Sequence, residues 1–208
     1  MSTAKLPERV IITDDPLRAR VLVSHHLESA TQLQENGDFF ILSGSYKGIS
    51  LSVVSSGSGK DNFIEALSLI KQLGALQVLY ISTCISTTDR YDIKSLILGA
   101  GGCKKLTDKA LDTLKQQETE VQVETIGTQG VASLCIDPST GGVSPYFLDD
   151  VTAALYDYAL INGIEALSLL TVSENVATGV KMEESEIRSR LYPASGLAFE
   201  IMVNQDSY

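Results

Sequence analysis

Two stretches of this chain put charged side chains where chemistry could be done. In Ile11-Ile12-Thr13-Asp14-Asp15-Pro16-Leu17-Arg18 an apolar strand runs into adjacent carboxylates, a proline and an arginine. Such a segment could hold a charged ligand, or it could be a strand-to-helix turn that tolerates charge. Glu174 follows the apolar run 166–172 and so stands at the carboxyl end of a buried strand, where ligands bind in α/β sheets. Other candidates are weaker. Gly57-Ser58-Gly59-Lys60 has part of a phosphate-binding loop, but Val54 stands where the first glycine is needed and Asp61 replaces the Ser/Thr that holds Mg²⁺. His25 and His26 are neighbours on one helix, so they point about 100° apart and make a poor metal pair; they read as a solvated helix face. Ser173 lacks the flanking glycines of a nucleophile elbow. Cys84, on a buried strand, reads as a packing residue. No metal site is expected.

The elements that must position these residues alternate in type. Residues 10–12 form a β-branched strand closed by Asp14, Asp15 and Pro16, and Leu17, Val21, Leu22 and Leu27 then recur at helical intervals. Residues 39–42 and 49–54 read as two strands of a hairpin turning through Ser43-Gly44-Ser45-Tyr46-Lys47-Gly48. After Gly57-Ser58-Gly59 the pattern predicts an amphipathic helix over 62–73, terminated by Gly74, and a buried strand over 78–81. It then predicts a strand over 96–100, a helix over 107–116 with Asp108 helping to cap it, strands over 121–131 and 133–136, and a loop over 137–142. A long apolar helix over 148–161 ends at Asn162-Gly163, a buried strand covers 166–172, and a terminal helix begins over 183–190. This alternation, with hairpins early, is the α/β class with a mixed sheet, and no boundary divides it, so residues 1–208 read as one domain.

Composition narrows the function. A chain of 208 residues is ample for a sizeable core. With 44% apolar and 20% charged residues it has the make-up of a soluble globular protein. Its net charge of −10 is spread along the chain, which disfavours nucleic acid and anionic membrane and leaves a small molecule or a protein as partner. Cys84, Cys103 and Cys135 form no Cys-x-x-Cys pair and fit a reducing compartment. No apolar segment precedes the first strand and no run of ~18 apolar residues occurs, so the expected location is cytoplasmic.

Taken in order, Asp14-Asp15-Pro16-Leu17-Arg18, Ser43-Gly44-Ser45-Tyr46-Lys47-Gly48 and Gly57-Ser58-Gly59 are similar to Gly-Asp-Pro-x-Arg, Thr-Gly-x-Tyr-Lys-Gly and Gly-x-Gly. Tyr80-Ile81-Ser82-Thr83-Cys84-Ile85 falls on Arg-x-Gly-Ser/Thr-Cys-Gly. Asp149-Asp150-Val151-Thr152-Ala153-Ala154 falls on Glu-Met-Glu-x-Ala-Ala, and Thr171-Val172-Ser173-Glu174 on Thr-Val-Ser-Asp. This order resembles the nucleoside phosphorylase family, whose fold is shared by hexameric purine nucleoside phosphorylases, uridine phosphorylases and methylthioadenosine nucleosidases. Spacing follows the family almost without a gap from 10 to about 103; from about 104 to 147 the chain looks shorter and does not align.

The resemblance implies a three-layer α/β/α sandwich with a central mixed sheet, and cleavage of the N-glycosidic bond of a purine or pyrimidine nucleoside. Phosphate would be the co-substrate, with no other cofactor. It also implies a homo-oligomer, a dimer or a trimer of dimers, because each site borrows an arginine from a neighbour. The phosphate-binding positions fall on Asp14, Arg18 and Thr83, the nucleoside-binding positions on Ser58, Asp150, Val151 and Ser173, and the general acid on Glu174. Phosphorolysis needs an anion held beneath an oxocarbenium-like sugar, a carboxylate for the ribose hydroxyls, and an acid for the departing base. Several of these are altered. Asp14 stands for the glycine and Tyr80 for the arginine of the phosphate site, and Asn36, Gly37 and Asp38 stand where the hairpin arginine would begin. Val151 replaces the ribose glutamate and cannot accept a hydrogen bond, while Glu174 keeps the acid chemistry with one methylene more. Three functions remain open. The chain is a divergent enzyme, or a catalytically degraded binding or structural subunit, perhaps beside an intact homologue, or a protein whose ligand brings a cationic part to Asp14 and Asp15.

Overall fold

The computed structural model describes residues 5–100, 103–117, 122–127, 134–136, 143–144 and 147–204. β1 (Arg9–Thr13) leads through Asp15 into α1 (Pro16–His26). A meander follows: β2 (Glu28–Asn36), β3 (Phe39–Tyr46) and β4 (Ile49–Ser55). Then come α2 (Lys60–Gln72), β5 (Gln77–Ser86), β6 (Leu96–Ala100), α3 (Lys104–Gln116), β7 (Gln122–Gly127), β8 (Leu134–Ile136), β9 (Val143–Ser144) and β10 (Phe147–Leu148). The chain closes with α4 (Asp150–Asn162), β11 (Glu165–Asn175), β12 (Val180–Lys181) and α5 (Glu184–Val203).

The strands run in the order β2-β3-β4-β1-β5-β11-β6-β7, continued by β8 and β9, while β10 and β12 pair with the far ends of β5 and β11. β1 is parallel to β4 and β5, and β5 to β11, whereas β2, β3 and β4 pair antiparallel and β6 opposes β11. The sheet is therefore mixed. The central strands are apolar on both faces because helices cover both. On one side Phe63, Ala66, Leu67 and Ile70 of α2 and Val151, Leu155, Tyr156 and Ala159 of α4 pack on Val10, Ile12, Val78 and Tyr80. On the other, α1, α3 and α5 bring Leu22, Leu106, Leu114, Phe199 and Met202 against Ile11, Leu79, Ile81 and Leu169. This is the α/β/α sandwich expected.

Register decides where the charged residues meet. Ile12 is level with Tyr80, and Tyr80 with Ser168, so β5 and β11 run on past the end of β1. The turn that leaves β1 thus lies against the sides of two longer strands. A bulge between Val172 and Glu174 then turns the end of β11.

Several elements differ from the periodicity. β2 was missed because all nine of its residues are exposed, so no apolar alternation marks it. β5 reaches Ser86 rather than stopping at 81, since the polar Ser82, Thr83 and Ser86 hide its continuation. Thr83 therefore lies within a strand, level with Thr171, and not at a strand end. Asp108 does not cap α3: Cys103 holds the N-cap position, and Asp108 pairs with Lys104 one turn back at 2.7 Å. Phe147 and Leu148 form a short strand before α4, which Asp149 caps and Gly163 ends at φ 63°. His26 is not on a solvated face; it is half-buried, with Nε2 2.9 Å from Ser195 Oγ and its ring 4.7 Å from that of Phe199. The expected loop 137–142 and parts of the strands over 121–131 and 133–136 lie outside the described residues.

Candidate functional site

The turn after β1 divides its two carboxylates between two tasks. Asp15 caps α1, accepting hydrogen bonds from the amides of Leu17 (2.8 Å) and Arg18 (3.2 Å), with Pro16 at the first helical position. Asp14 is left to face inward. Its Oδ1 accepts from Nη1 of Arg18 at 2.9 Å and from the hydroxyl of Ser82 at 3.0 Å. The same Nη1 reaches Thr13 Oγ1 at 3.0 Å, Ser82 Oγ at 3.1 Å and the carbonyl of Ile81 at 3.4 Å. Arg18 is 10% exposed and Asp14 33%, so most of the water that would screen this pair is absent. An external anion approaching Nη1 must displace a carboxylate tethered four residues away, which costs it the entropy that Asp14 has already lost by being in the same chain.

Tyr80 adds no positive charge. It is 1% exposed, on β5, with its ring edge against Phe63 at 5.0 Å. Burial above all, and then the carboxylates of Asp14 and Asp149, push its hydroxyl well above the ordinary range, against the opposing pull of Ser82 and Arg18. It is a neutral phenol where the family motif has a guanidinium.

The remaining sequence-derived positions are dispersed around this edge. Val151 is 5% exposed and belongs to the core under α4. Asp150 opens α4 beside it, and the cap is Asp149, whose carboxylate accepts from the amides of Val151 (3.0 Å) and Thr152 (3.3 Å) and from the Thr152 hydroxyl. Ser58 is exposed before α2, where Gly57 and Gly59 adopt φ +74° and +99° to make the turn, and its carbonyl accepts from Asn62 at 2.8 Å. Thr83 stands opposite Thr171, whose buried hydroxyl has no partner among the described residues. Ser173 donates to the carbonyl of Cys84 at 3.2 Å, and Glu174 pairs with Lys181 of β12 at 3.0 Å.

The structure thus brings Asp14 and Arg18 together with Tyr80 and Ser82, and puts Glu174 farther along the same edge. Ile85, three residues beyond Ser82, is the β5 partner of Glu174, so the two groups are separated by roughly 10 Å of strand. Sequence reasoning missed Ser82, Asp149 and Lys181. A signal for Ser82 existed, since it occupies the glycine of the Arg-x-Gly motif just as Asp14 occupies the glycine of Gly-Asp-Pro; Lys181 had none, because the return of β12 is not periodic. A cleft of about 510 Å³ lies elsewhere, between the β2–β3 turn and α2, with Asp38, Glu65, Asn36 and Asn62 in its lining. Among the described residues no three His, Cys, Asp or Glu side chains converge as metal ligands.

Comparison with known proteins bears on the family and the fold. The family described as the phosphorylase superfamily matches residues 8–183. A DeoD-type purine nucleoside phosphorylase of Shewanella loihica is 27% identical over 203 residues, covering 86% of each chain. One from Vibrio parahaemolyticus is 25% identical over 224 residues, covering 95% of this chain and 94% of its own. Among solved structures, purine nucleoside phosphorylase from Toxoplasma gondii superposes with a TM-score of 0.78 at 14% identity, covering 97% of this chain and 92% of its own. Uridine phosphorylase from Vibrio fischeri gives 0.73 at 18%, covering 96% and 93%. At such identities the two structures speak for the fold alone, but with a pattern running from β1 to the start of α5, the chain belongs to the phosphorylase superfamily.

Proposed function

We propose that this chain is a superfamily member whose anion site is filled from within, and that it works as a binding or structural subunit rather than as a phosphorolytic enzyme. The observation that carries this reading is Asp14, whose carboxylate accepts from both Arg18 (2.9 Å) and Ser82 (3.0 Å). A phosphate oxygen would need those same donors. Val151 in the core and Tyr80 as a neutral phenol point the same way, because a ribose carboxylate and a second cation are then both lacking. A nucleoside or related small molecule, held without being cleaved, is the ligand class. The assembly is a homo-oligomer or a hetero-oligomer with an intact homologue, each chain acting as one domain, and the location is cytoplasmic. No described helix is long and apolar enough to cross a membrane.

One observation favours a second reading, a divergent enzyme that cleaves the N-glycosidic bond of a purine or pyrimidine nucleoside with phosphate. Glu174 keeps a partly exposed carboxyl past the β11 bulge, and its strand distance from Arg18 and Ser82, roughly 10 Å, suits a nucleoside spanning from anion to base. Purified protein, assayed against a nucleoside panel with and without phosphate for release of free base, separates the two. Phosphate-dependent turnover overturns the subunit reading. No turnover, together with no rise in melting temperature on adding phosphate, removes the enzyme reading, since a ligand bound only by the native state must stabilise it.

A further inference from the structure

The chain holds two Asn-Gly pairs, Asn36-Gly37 and Asn162-Gly163, and the fold treats them in opposite ways. At the end of α4 both residues are tied. Nδ2 of Asn162 donates to the carbonyl of Tyr158 at 2.8 Å, and the amide of Gly163 donates to the carbonyl of Ala159. At the tip of the β2–β3 hairpin both are loose. Asn36 and Gly37 are exposed, and neither the carboxamide of Asn36 nor the amide of Gly37 has a hydrogen-bond partner among the described residues. Gly37, at φ +61°, has open space where a Cβ would stand, and Asn36 is part of the wall of the cleft beside α2. Water therefore reaches both groups.

We propose that Asn36 is a site of spontaneous deamidation through Gly37, and that its helix cap protects Asn162 from the same reaction. The Gly37 nitrogen gives up its proton to base and attacks Cγ of Asn36. A bond forms between them, the Cγ–Nδ2 bond breaks, and ammonia leaves with a proton from water. Glycine favours this step because no Cβ hinders the approach of its nitrogen. Water then opens the succinimide at either carbonyl. Breaking the bond to Cγ gives aspartate; breaking the bond to the main-chain carbonyl gives isoaspartate. The ring needs the chain at Asn36 to leave its extended form, and β2 allows this at low cost. It is an edge strand, exposed along its whole length, with two register shifts against β3. Either product puts a new carboxylate beside Asp38 and Glu65 in the cleft wall. Isoaspartate also adds a methylene to the main chain where Asn36 pairs with Phe39. The inference stands whichever reading of the phosphorylase edge holds.

Peptide mapping by mass spectrometry tests this, on the full chain aged folded and in urea, at neutral and at mildly alkaline pH. The tryptic peptide of residues 21–47 holds Asn36 as its sole asparagine, so its conversion is read without ambiguity. In the folded chain Asn36 should convert at least about tenfold faster than Asn162, whose reaction must wait for the end of α4 to open. The rate at Asn36 should rise with pH, because the attacking amide must lose its proton, and isoaspartate should accompany aspartate. In urea, where the cap is gone, the two sites should convert at similar rates. Asn162 converting as fast as Asn36 in the folded chain overturns the proposal. So does an unchanged Asn36 in the folded chain, or a product free of isoaspartate, which direct hydrolysis would give.

Discussion

The hydroxyl of Ser82 lies 3.0 Å from Oδ1 of Asp14, so two residues that fall on glycines of the motifs this sequence resembles hold each other across the gap between the β1–α1 turn and β5. The pair makes a contact that neither residue makes alone. With Arg18 as the third member, the group is a closed ring of donor and acceptor. Asp14→Ala leaves Arg18, 10% exposed, with only neutral hydrogen-bond acceptors and the Asp15 carboxylate 4.0 Å away, and should lower stability by about 1–3 kcal/mol. Urea unfolding measures this. Adding Ser82→Ala to Asp14→Ala should cost less than Ser82→Ala costs in the unaltered protein, and strict additivity would mean that the ring is not a unit.

Restoring the family glutamate at Val151 should be harmful by itself. The position is 5% exposed and packed in the core, so a carboxylate placed there is desolvated with no cation prepared for it. Val151→Glu is expected to lose about 3 kcal/mol or more in urea unfolding. A loss below about 1 kcal/mol would show that the start of α4 can open to water.

His26 supplies a pH dependence. Burial first, and then the neighbouring charge of His25, lower it below its ordinary value of 6.5, while Glu200 pulls it upward. Glu200 is itself held low despite the opposing effect of its burial, because Lys47 and Tyr46 donate to it, and Tyr46 is pushed up to about 12 by burial and by that bond. Neither of those two titrates near neutrality. Since the folded state binds the His26 proton less well than the unfolded chain, its contribution is full above 6.5 and is lost as pH falls through 6.5 toward the lower folded value. His26→Gln should flatten the stability profile in that window, as followed by urea midpoints at a series of pH values.

Lys181 should be nearly dispensable for folding. Its side chain is 70% exposed and that of Glu174 32%, and exposed ion pairs contribute about 0–1 kcal/mol. Lys181→Met is therefore expected to shift stability by less than about 1 kcal/mol, and to lose its effect altogether at high salt. A larger loss would mean that β12 depends on this pair to stay against β11.

The sequence was most legible where packing dictates residue type. The apolar runs of β1, β4, β5 and β11 and the glycines that end α2 and α4 mark the sandwich, because burial on both faces leaves a continuous apolar pattern. It was least legible where structure follows from pairing alone. β2 carries no buried residue and exists because β3 offers it an edge, and β12 is two residues held to β11 by the bonds of a hairpin. For the site, residue identity foretold the oddity of Asp14 and Val151, but not what Asp14 does. That depends on the register that sets Ser82 beside it, and register is a property of three strands at once.

The overshoot of β5 past β1 ties Asp14 and Ser82 to each other. Because Ser82 stands within reach of Asp14, replacing either one by glycine affects the other: Arg18 loses its hydrogen-bonded carboxylate, or Asp14 loses a donor. Each single change is therefore expected to lower stability by itself. The ring therefore couples the two positions, so that the cost of a change at one depends on which residue stands at the other.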